Sequence, residues 1–308
     1  MDKKISQIIT DIKKIKIQGA RNVARAVVTA IILQVKNSKA KTFDELYSEL
    51  LIVSDLLAST RPTEPMMRNS IKDVINFTVM QISSGNKSID EVKKNIVEHS
   101  EKYLKKMEHD SQILADYGAK TIENGSLVIT YCHSSTVTGI LKKAFEIGTD
   151  FRVICCETRP KFQGRITAKE LSSAGIDTTL VVDGASNVFM KKADLCLVGA
   201  DAITSTGDLI NKIGTSCLAQ ISRIHNVSFY CAAELYKYNP LTLYGNKEKI
   251  EQRSPKEIWE TPPKKLKIEN PAFDFTEARY INGYITEEGI ISPTSFSSVA
   301  TRHFKELG

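Results

Sequence analysis

The sequence predicts a helical N-terminal domain over residues 1–120 followed by a parallel α/β domain over 121–308, and three observations predict it. Up to about residue 120 the apolar positions recur only at three- and four-residue spacing, which marks one face of a helix. Past Asn124-Gly125, short β-branched or apolar runs alternate with helix-like segments, the order of a parallel sheet with helices on both faces. A length of 308 residues also suits about two compact domains.

In the first domain, Ile5, Ile8, Ile9 and Ile12 line one helix face, and a second helix is expected from about Ala20 to Lys36. Thr42-Phe43-Asp44-Glu45 is a capping-box pattern, with Thr42 free to cap and Glu45 able to reach back. Ser88-Ile89-Asp90-Glu91 repeats it ahead of a long helix running toward residue 123. Between them, Arg61-Pro62-Thr63-Glu64-Pro65 must be a loop, because two prolines prevent a continuous helix.

In the second domain the expected strands are Leu127 to Thr130, Phe151 to Cys156, Thr178 to Val182, Leu195 to Val198 and Val227 to Cys231. Helices are expected near 137–147, 166–174, 185–192 and 214–225. This Rossmann-like arrangement places functional groups beyond the carboxyl ends of the strands. The proline-bearing stretch from about 238 to 270, which holds the lone Trp259, reads as a long surface excursion. A final strand near Arg279 to Thr286 is expected to rejoin the sheet.

Composition excludes several classes. Hydrophobic residues make up 42% and charged residues 25%, ordinary values for a globular chain with a real core. The net charge of +6 is mild and dispersed, so direct nucleic-acid binding is not expected. The lysines at 3, 4, 13, 14 and 16 fit a solvated helix face or a small functional patch. None of the six cysteines forms a C-x-x-C pair and the histidines lack ligand spacing, so no metal is expected. Free cysteines in apolar runs imply a reducing, cytoplasmic setting. The first twenty residues lack a signal-peptide core, and Ala26 to Val35 is too short to span a bilayer, so no membrane association is expected. No Gly-x-Gly-x-x-Gly and no P-loop occurs, so dinucleotide and nucleoside-triphosphate chemistry lack their usual signature.

The chemistry-bearing residues follow the expected strands directly. The first run is Val128-Ile129-Thr130-Tyr131-Cys132-His133-Ser134-Ser135-Thr136. Cys132 falls at the sheet edge near a helix N-terminus, where free N–H groups would lower a thiol pKa. Ser134, Ser135 and Thr136 add hydroxyls suited to phosphate or sugar oxygens. A packed cysteine followed by an N-cap serine fits the same spacing. The second run, Gly199-Ala200-Asp201, puts a carboxylate after a strand with small residues before it that permit close backbone approach. A turn-capping role fits Asp201 as well. Asn211 and Lys212 continue that rim, with Lys212 able to neutralise phosphate. In the third run, Glu157 to Gly164, Arg159 offers a planar fork for a phosphate, or an ion pair that braces the loop.

Taken in order, these runs resemble the initiation factor 2B alpha/beta/delta-like superfamily. It contains ribose-1,5-bisphosphate isomerase, methylthioribose-1-phosphate isomerase and the regulatory subunits of the exchange factor for translation initiation factor 2. The resemblance covers almost the whole chain. It includes Gly19-Ala20, Thr60-Arg61-Pro62-Thr63, Glu157 to Leu171, Asn211 to Thr215 and Ala233-Glu234-Leu235-Tyr236-Lys237. The enzymes of the superfamily use a Cys and an Asp as acid and base, and by position these fall on Cys132 and Asp201. The Glu157 to Leu171 run is most similar to the archaeal ribose-1,5-bisphosphate isomerase branch.

That resemblance implies conversion of ribose 1,5-bisphosphate to ribulose 1,5-bisphosphate in AMP salvage, with no cofactor, AMP as activator, and a homodimer or hexamer. It implies phosphate contacts from Gly19, Ala20, Arg21, Arg61, Lys212 and Lys237. Asp201 is expected to protonate the ring oxygen, and Cys132, as thiolate, to take the C2 proton. Two departures stand out: Gln18-Gly19-Ala20-Arg21 replaces Arg-Gly-Ala-Gly, and Ser135 replaces a lysine. They keep open a non-catalytic reading, in which a regulatory subunit binds initiation factor 2 and senses a nucleotide or sugar phosphate.

Overall fold

A computed structural model describes residues 2–61, 64–85, 87–246, 248 and 250–307. The chain forms two compact units, Met1–His109 with Thr301–Gly308, and Asp110–Ala300.

The first unit is helical. Its elements are α1 (Lys3–Lys13), α2 (Ala20–Asn37), α3 (Phe43–Ala58), α4 (Pro65–Ser83) and the first two-thirds of α5 (Ile89–Ala119). The capping box expected at Thr42 forms: its Oγ1 accepts the Glu45 N–H at 3.2 Å while Glu45 accepts the Thr42 N–H. Ser88 likewise accepts the Glu91 N–H at 3.2 Å and starts α5. Pro65 opens α4 at a position whose N–H has no intrahelical partner. Pro62 and Thr63 of the expected loop lie outside the described residues. Ile5, Ile9, Ile12, Val27, Ile31, Leu46, Leu50, Met67 and Val92 are among the side chains of one buried cluster. The expected domain break at residue 120 falls at the end of α5, whereas the two units divide within that helix.

The second unit is built on a seven-stranded sheet with strands β1 (Ser126–Tyr131), β2 (Phe151–Cys156), β3 (Asp177–Val181), β4 (Leu195–Val198), β7 (Ser228–Ala232), β9 (Gly283–Thr286) and β10 (Gly289–Ile291). Their order is β10-β9-β7-β4-β1-β2-β3, parallel except for β10. The crossover helices are α6 (Ser135–Glu146), α7 (Gln163–Ser173), α8 (Ser186–Met190) and α9 (Thr215–Ile224). The helices α6 and α7 pack on one another, as do α8 and α9. The sheet core holds Val128, Ile140, Leu141, Val153, Leu171 and Leu197.

The chain leaves β1 toward β2 and β3 on one side, then returns to β4 on the other side of β1. The order therefore reverses between β1 and β4, and a parallel sheet opens a crevice at the carboxyl ends of such a pair.

Apart from the C-terminal helix, the elements the sequence did not announce are short or irregular. β5 (Ala202–Ile203), β6 (Leu209–Lys212) and β8 (Phe273–Thr276) form a small antiparallel sheet in the order β5-β6-β8. Strands of two to four residues carry too little periodicity to stand out. The expected final strand begins later, at Gly283, because Ala278–Tyr280 forms a 3-10 turn. Residues 293–307 add α10 (Pro293–Leu307). The 238–270 excursion contains 3-10 turns at Pro240–Tyr244 and Pro255–Glu257. Among the described residues, no helix is long and apolar enough to cross a membrane.

Candidate active site

The register of the sheet brings the two proposed reacting groups to one edge. Tyr131 of β1 pairs with Val198 of β4, so Cys132 and Gly199 leave the sheet side by side, on strands about 4.8 Å apart. A Cβ on Gly199 would meet the Ser134 side chain, so the two exits are packed against one another. Asp201 follows two residues later, its N–H bonded to the Ile210 carbonyl at 3.0 Å. Cys132 and Asp201 are each half-buried, and the Asp201 charge acts on the Cys132 thiol.

Cys132 has φ of 66°, in the left-handed region. Its N–H donates to Thr158 Oγ1 at 2.9 Å, and its carbonyl accepts from Thr167 Oγ1 at 2.8 Å. His133 Nδ1 lies 3.1 Å from the same Thr167 hydroxyl, and burial lowers the His133 pKa. Burial pushes the Cys132 thiol up to about 11; Lys212 and the His133 N–H pull it down, while Asp201 and Asp183 add to the rise.

The thiolate expected from the sequence is therefore not the resting state. Cys132 lies before the N-cap of α6, Ser134, whose Oγ accepts the Val137 N–H. It stands outside the helical turn whose dipole would have favoured the anion, and desolvation prevails.

Lys212 ends β6, buried, with its ammonium 4.8 Å from the centre of the Phe273 ring. Among the described residues it makes no ion pair, so a buried cation faces the thiol without a carboxylate at salt-bridge distance. Asn211 is buried beside it and donates to Thr215 Oγ1 at 3.0 Å. Thr215 in turn donates to the Lys212 carbonyl at 2.6 Å. Asp274 on β8 accepts the N–H of Gly214 at 2.7 Å and of Ser216 at 3.2 Å, closing the start of α9. Burial raises the Asp274 pKa to about 6 against those two bonds.

The other expected contacts fall as follows. Thr136 is buried and donates to Glu234 at 3.2 Å, and Glu234 pairs with buried Lys237 at 3.1 Å. Both oxygens of Glu287 accept the Leu235 N–H, at 3.1 and 3.2 Å. Ser135 is the exposed first residue of α6. Arg159 turns toward the excursion, donating to the Ile258 carbonyl at 3.2 Å with its guanidinium 5.2 Å from the Phe162 ring centre.

Gln18, Gly19, Ala20, Arg21 and Arg61 belong to the first unit. Gln18 donates to the Ile15 carbonyl at 2.8 Å. Gly19 takes φ of 83° as the N-cap of α2, where no side chain caps the first turn, and Ala20 is the buried first residue of that helix. Arg21 is half-exposed, and Arg61 is buried and paired with Glu64 at 2.8 Å. The sequence reading named Thr158 and Glu234 only within the family runs and missed Asp183, Glu287 and Asp274. Asp183 could have been found by the rule that marked the others, since it follows β3 by two residues.

A parallel sheet with a thiol and a carboxylate at its switch point, and a buried lysine whose charge acts on that thiol, defines an α/β protein with a candidate site at the carboxyl edge of its sheet. Residues 16–293 match the model of the Initiation factor 2 subunit family, and the chain belongs to that family. It is 38% identical over 307 residues to a protein of Pyrococcus furiosus named ribose 1,5-bisphosphate isomerase, covering 98% of this chain and 94% of the relative. A protein of the same name from Thermococcus kodakarensis is also 38% identical, over 98% of this chain and 95% of its own. Among solved structures, the translation initiation factor eIF-2B of Pyrococcus horikoshii OT3 superposes with a TM-score of 0.80 at 27% identity, covering 95% of this chain and 98% of that one.

Proposed function

We propose that this chain converts ribose 1,5-bisphosphate to ribulose 1,5-bisphosphate in AMP salvage, with Cys132 and Asp201 exchanging the protons. The observation that carries the reading is the meeting of Cys132, Asp201 and the buried cation Lys212 at the β1/β4 switch point. The names of the two archaeal relatives supply the substrate.

The chemistry fits those groups. A sugar with phosphate on C1 must open its ring before it can isomerise. The ring oxygen gains a proton and C2 loses one; C1 then gains a proton as the C2 hydroxyl loses one, so the pair finishes as it began. Lys212 offers its charge to a phosphate. The resting thiol carries its proton, so Cys132 enters as the first acid and Asp201 as the first base. This reverses the order expected from the sequence, which would require the thiol to lose its proton beforehand. Positioned acids and bases contribute typically ~10²–10⁴-fold each. The reading extends to AMP as activator, no cofactor, and a homodimer or hexamer in the cytoplasm.

The test is to incubate purified protein with ribose 1,5-bisphosphate, with and without AMP, and to assay ribulose 1,5-bisphosphate, with Cys132→Ser in parallel. Product from the wild type and its loss in the variant support the reading; no product under either condition sinks it. The Pyrococcus horikoshii structure favours a second reading, a non-catalytic regulatory subunit that binds initiation factor 2. A pull-down against initiation factor 2 subunits tests it.

A further inference from the structure

The backbone of Cys132 is held by side chains. Its N–H and carbonyl reach Thr158 Oγ1 and Thr167 Oγ1, two hydroxyls from the segment after β2. Thr158 is itself at φ of 64°, a conformation β-branched residues rarely adopt. It is buried and fastened from several sides. Asp183 accepts the Thr158 N–H on one oxygen and the Arg159 N–H on the other, both at 2.7 Å. The Thr158 carbonyl accepts the Phe162 N–H at 2.8 Å. The Thr158 hydroxyl donates to the Cys156 carbonyl at 3.1 Å, which leaves its lone pairs for Cys132. Two left-handed residues on neighbouring strand exits are thus locked to one another, with one carboxylate behind them. Such conformations persist only where the surroundings over-determine them.

We propose that Thr158, clamped by Asp183, is a positioning residue that holds Cys132 in its left-handed conformation and so aims the thiol at Asp201 and Lys212. The proposal rests on the reading of Cys132 as a catalytic group. Without the Thr158 acceptor, Cys132 relaxes toward negative φ and its side chain swings away. Misplacement of a reacting group by about 1 Å can cost ~10²-fold in rate. The charges acting on the thiol are Lys212, Asp201 and Asp183.

The experiment uses the full chain with Thr158→Val, Thr158→Ser and Asp183→Asn. Each is assayed for kcat and KM with ribose 1,5-bisphosphate, and for alkylation of Cys132 by iodoacetamide as a function of pH, followed by mass spectrometry. Thr158→Val is expected to lower kcat roughly 10- to 100-fold with KM within about threefold. Its alkylation midpoint should fall toward the ordinary thiol range, about 8.5. Thr158→Ser, which keeps the acceptor, should restore both, and Asp183→Asn should lower kcat in the direction of the valine variant, its alkylation midpoint falling in any case because a charge that raises the thiol pKa is lost. If Thr158→Val does not fold, Thr158→Ala, which also removes the acceptor and changes no charge near the thiol, decides by the same readouts. An alkylation profile that superimposes on the wild type overturns the proposal. Alkylation needs no isomerase turnover, so a wild-type chain inactive on the sugar refutes the catalytic reading while the profile still decides the positioning.

Discussion

A Cβ on Gly199 would lie 2.7 Å from both Cβ and Oγ of Ser134. Ser134 follows Cys132 by two residues and caps α6, and Gly199 precedes Asp201 by two. This contact packs the two strand exits together two residues from each proposed reacting group. Gly199→Ala should force the exits apart and overpack a tight site, at about 1–3 kcal/mol of stability. Its kcat should fall up to ~10²-fold. Thermal melting beside steady-state kinetics checks this; an alanine variant with wild-type kcat would show that the spacing of the exits does not matter.

The state of the Cys132 thiol fixes a pH dependence. With the thiol near 11, only about one molecule in ten thousand carries a thiolate at pH 7. If the thiol serves as first acid, kcat stays flat from neutral pH upward and drops only as the medium approaches 11. A resting thiolate base would instead raise the rate about tenfold per pH unit from 7 to 10. The pH–kcat profile separates the two, and Cys132→Ser should lower the plateau at least ~10²-fold.

Lys212 is a buried cation with no ion pair among the described residues, an arrangement that costs stability unless a ligand compensates it. Lys212→Met keeps the length and the contact with Phe273 and removes the charge. It should leave the melting temperature unchanged or higher, while KM rises about ten- to a hundredfold, equivalent to ~1.5–3 kcal/mol of charge-assisted binding. Lys212 also pulls the Cys132 pKa down, so alkylation of Cys132 should need still higher pH in the variant. A KM equal to wild type would remove Lys212 from the substrate.

The parts legible in the sequence were those with a local signal. β2 and β4 occur where their apolar runs predicted them, because buried parallel strands read as near-continuous hydrophobic stretches, broken in β2 only by exposed Arg152. The Thr42 capping box was legible because its partners are three residues apart. Cys132, Asp201 and Lys212 were marked by following strands or by the family pattern. The clamp from Asp183 to Thr158 was invisible, since it depends on backbone angles that no composition announces and joins residues 25 apart. The raised thiol pKa was missed for a related reason: burial is a tertiary property, whereas a helix start can be read locally. Short β5, β6 and β8 carried no period to detect.

Glu287 supplies a test that concerns stability alone. Its carboxylate is buried and accepts the Leu235 N–H, and burial raises its pKa to about 8, with the charges of Glu234 and Asp110 adding to the rise. The unfolded chain would titrate this group near the ordinary glutamate value of 4.5. The folded state thus binds the proton more tightly, and the stability this provides is complete below pH 4.5. It is lost progressively as pH climbs to about 8, by a few kcal/mol in all. Asp274, raised to about 6 chiefly by burial, adds a smaller loss of the same sign over the lower part of that window. Glu287→Gln keeps the shape and removes the titration, so its urea midpoint should vary less between pH 5 and pH 8 than that of the wild type and exceed it at pH 8. Parallel slopes for the two proteins across that range would mean that Glu287 is not the buried acid that sets the dependence.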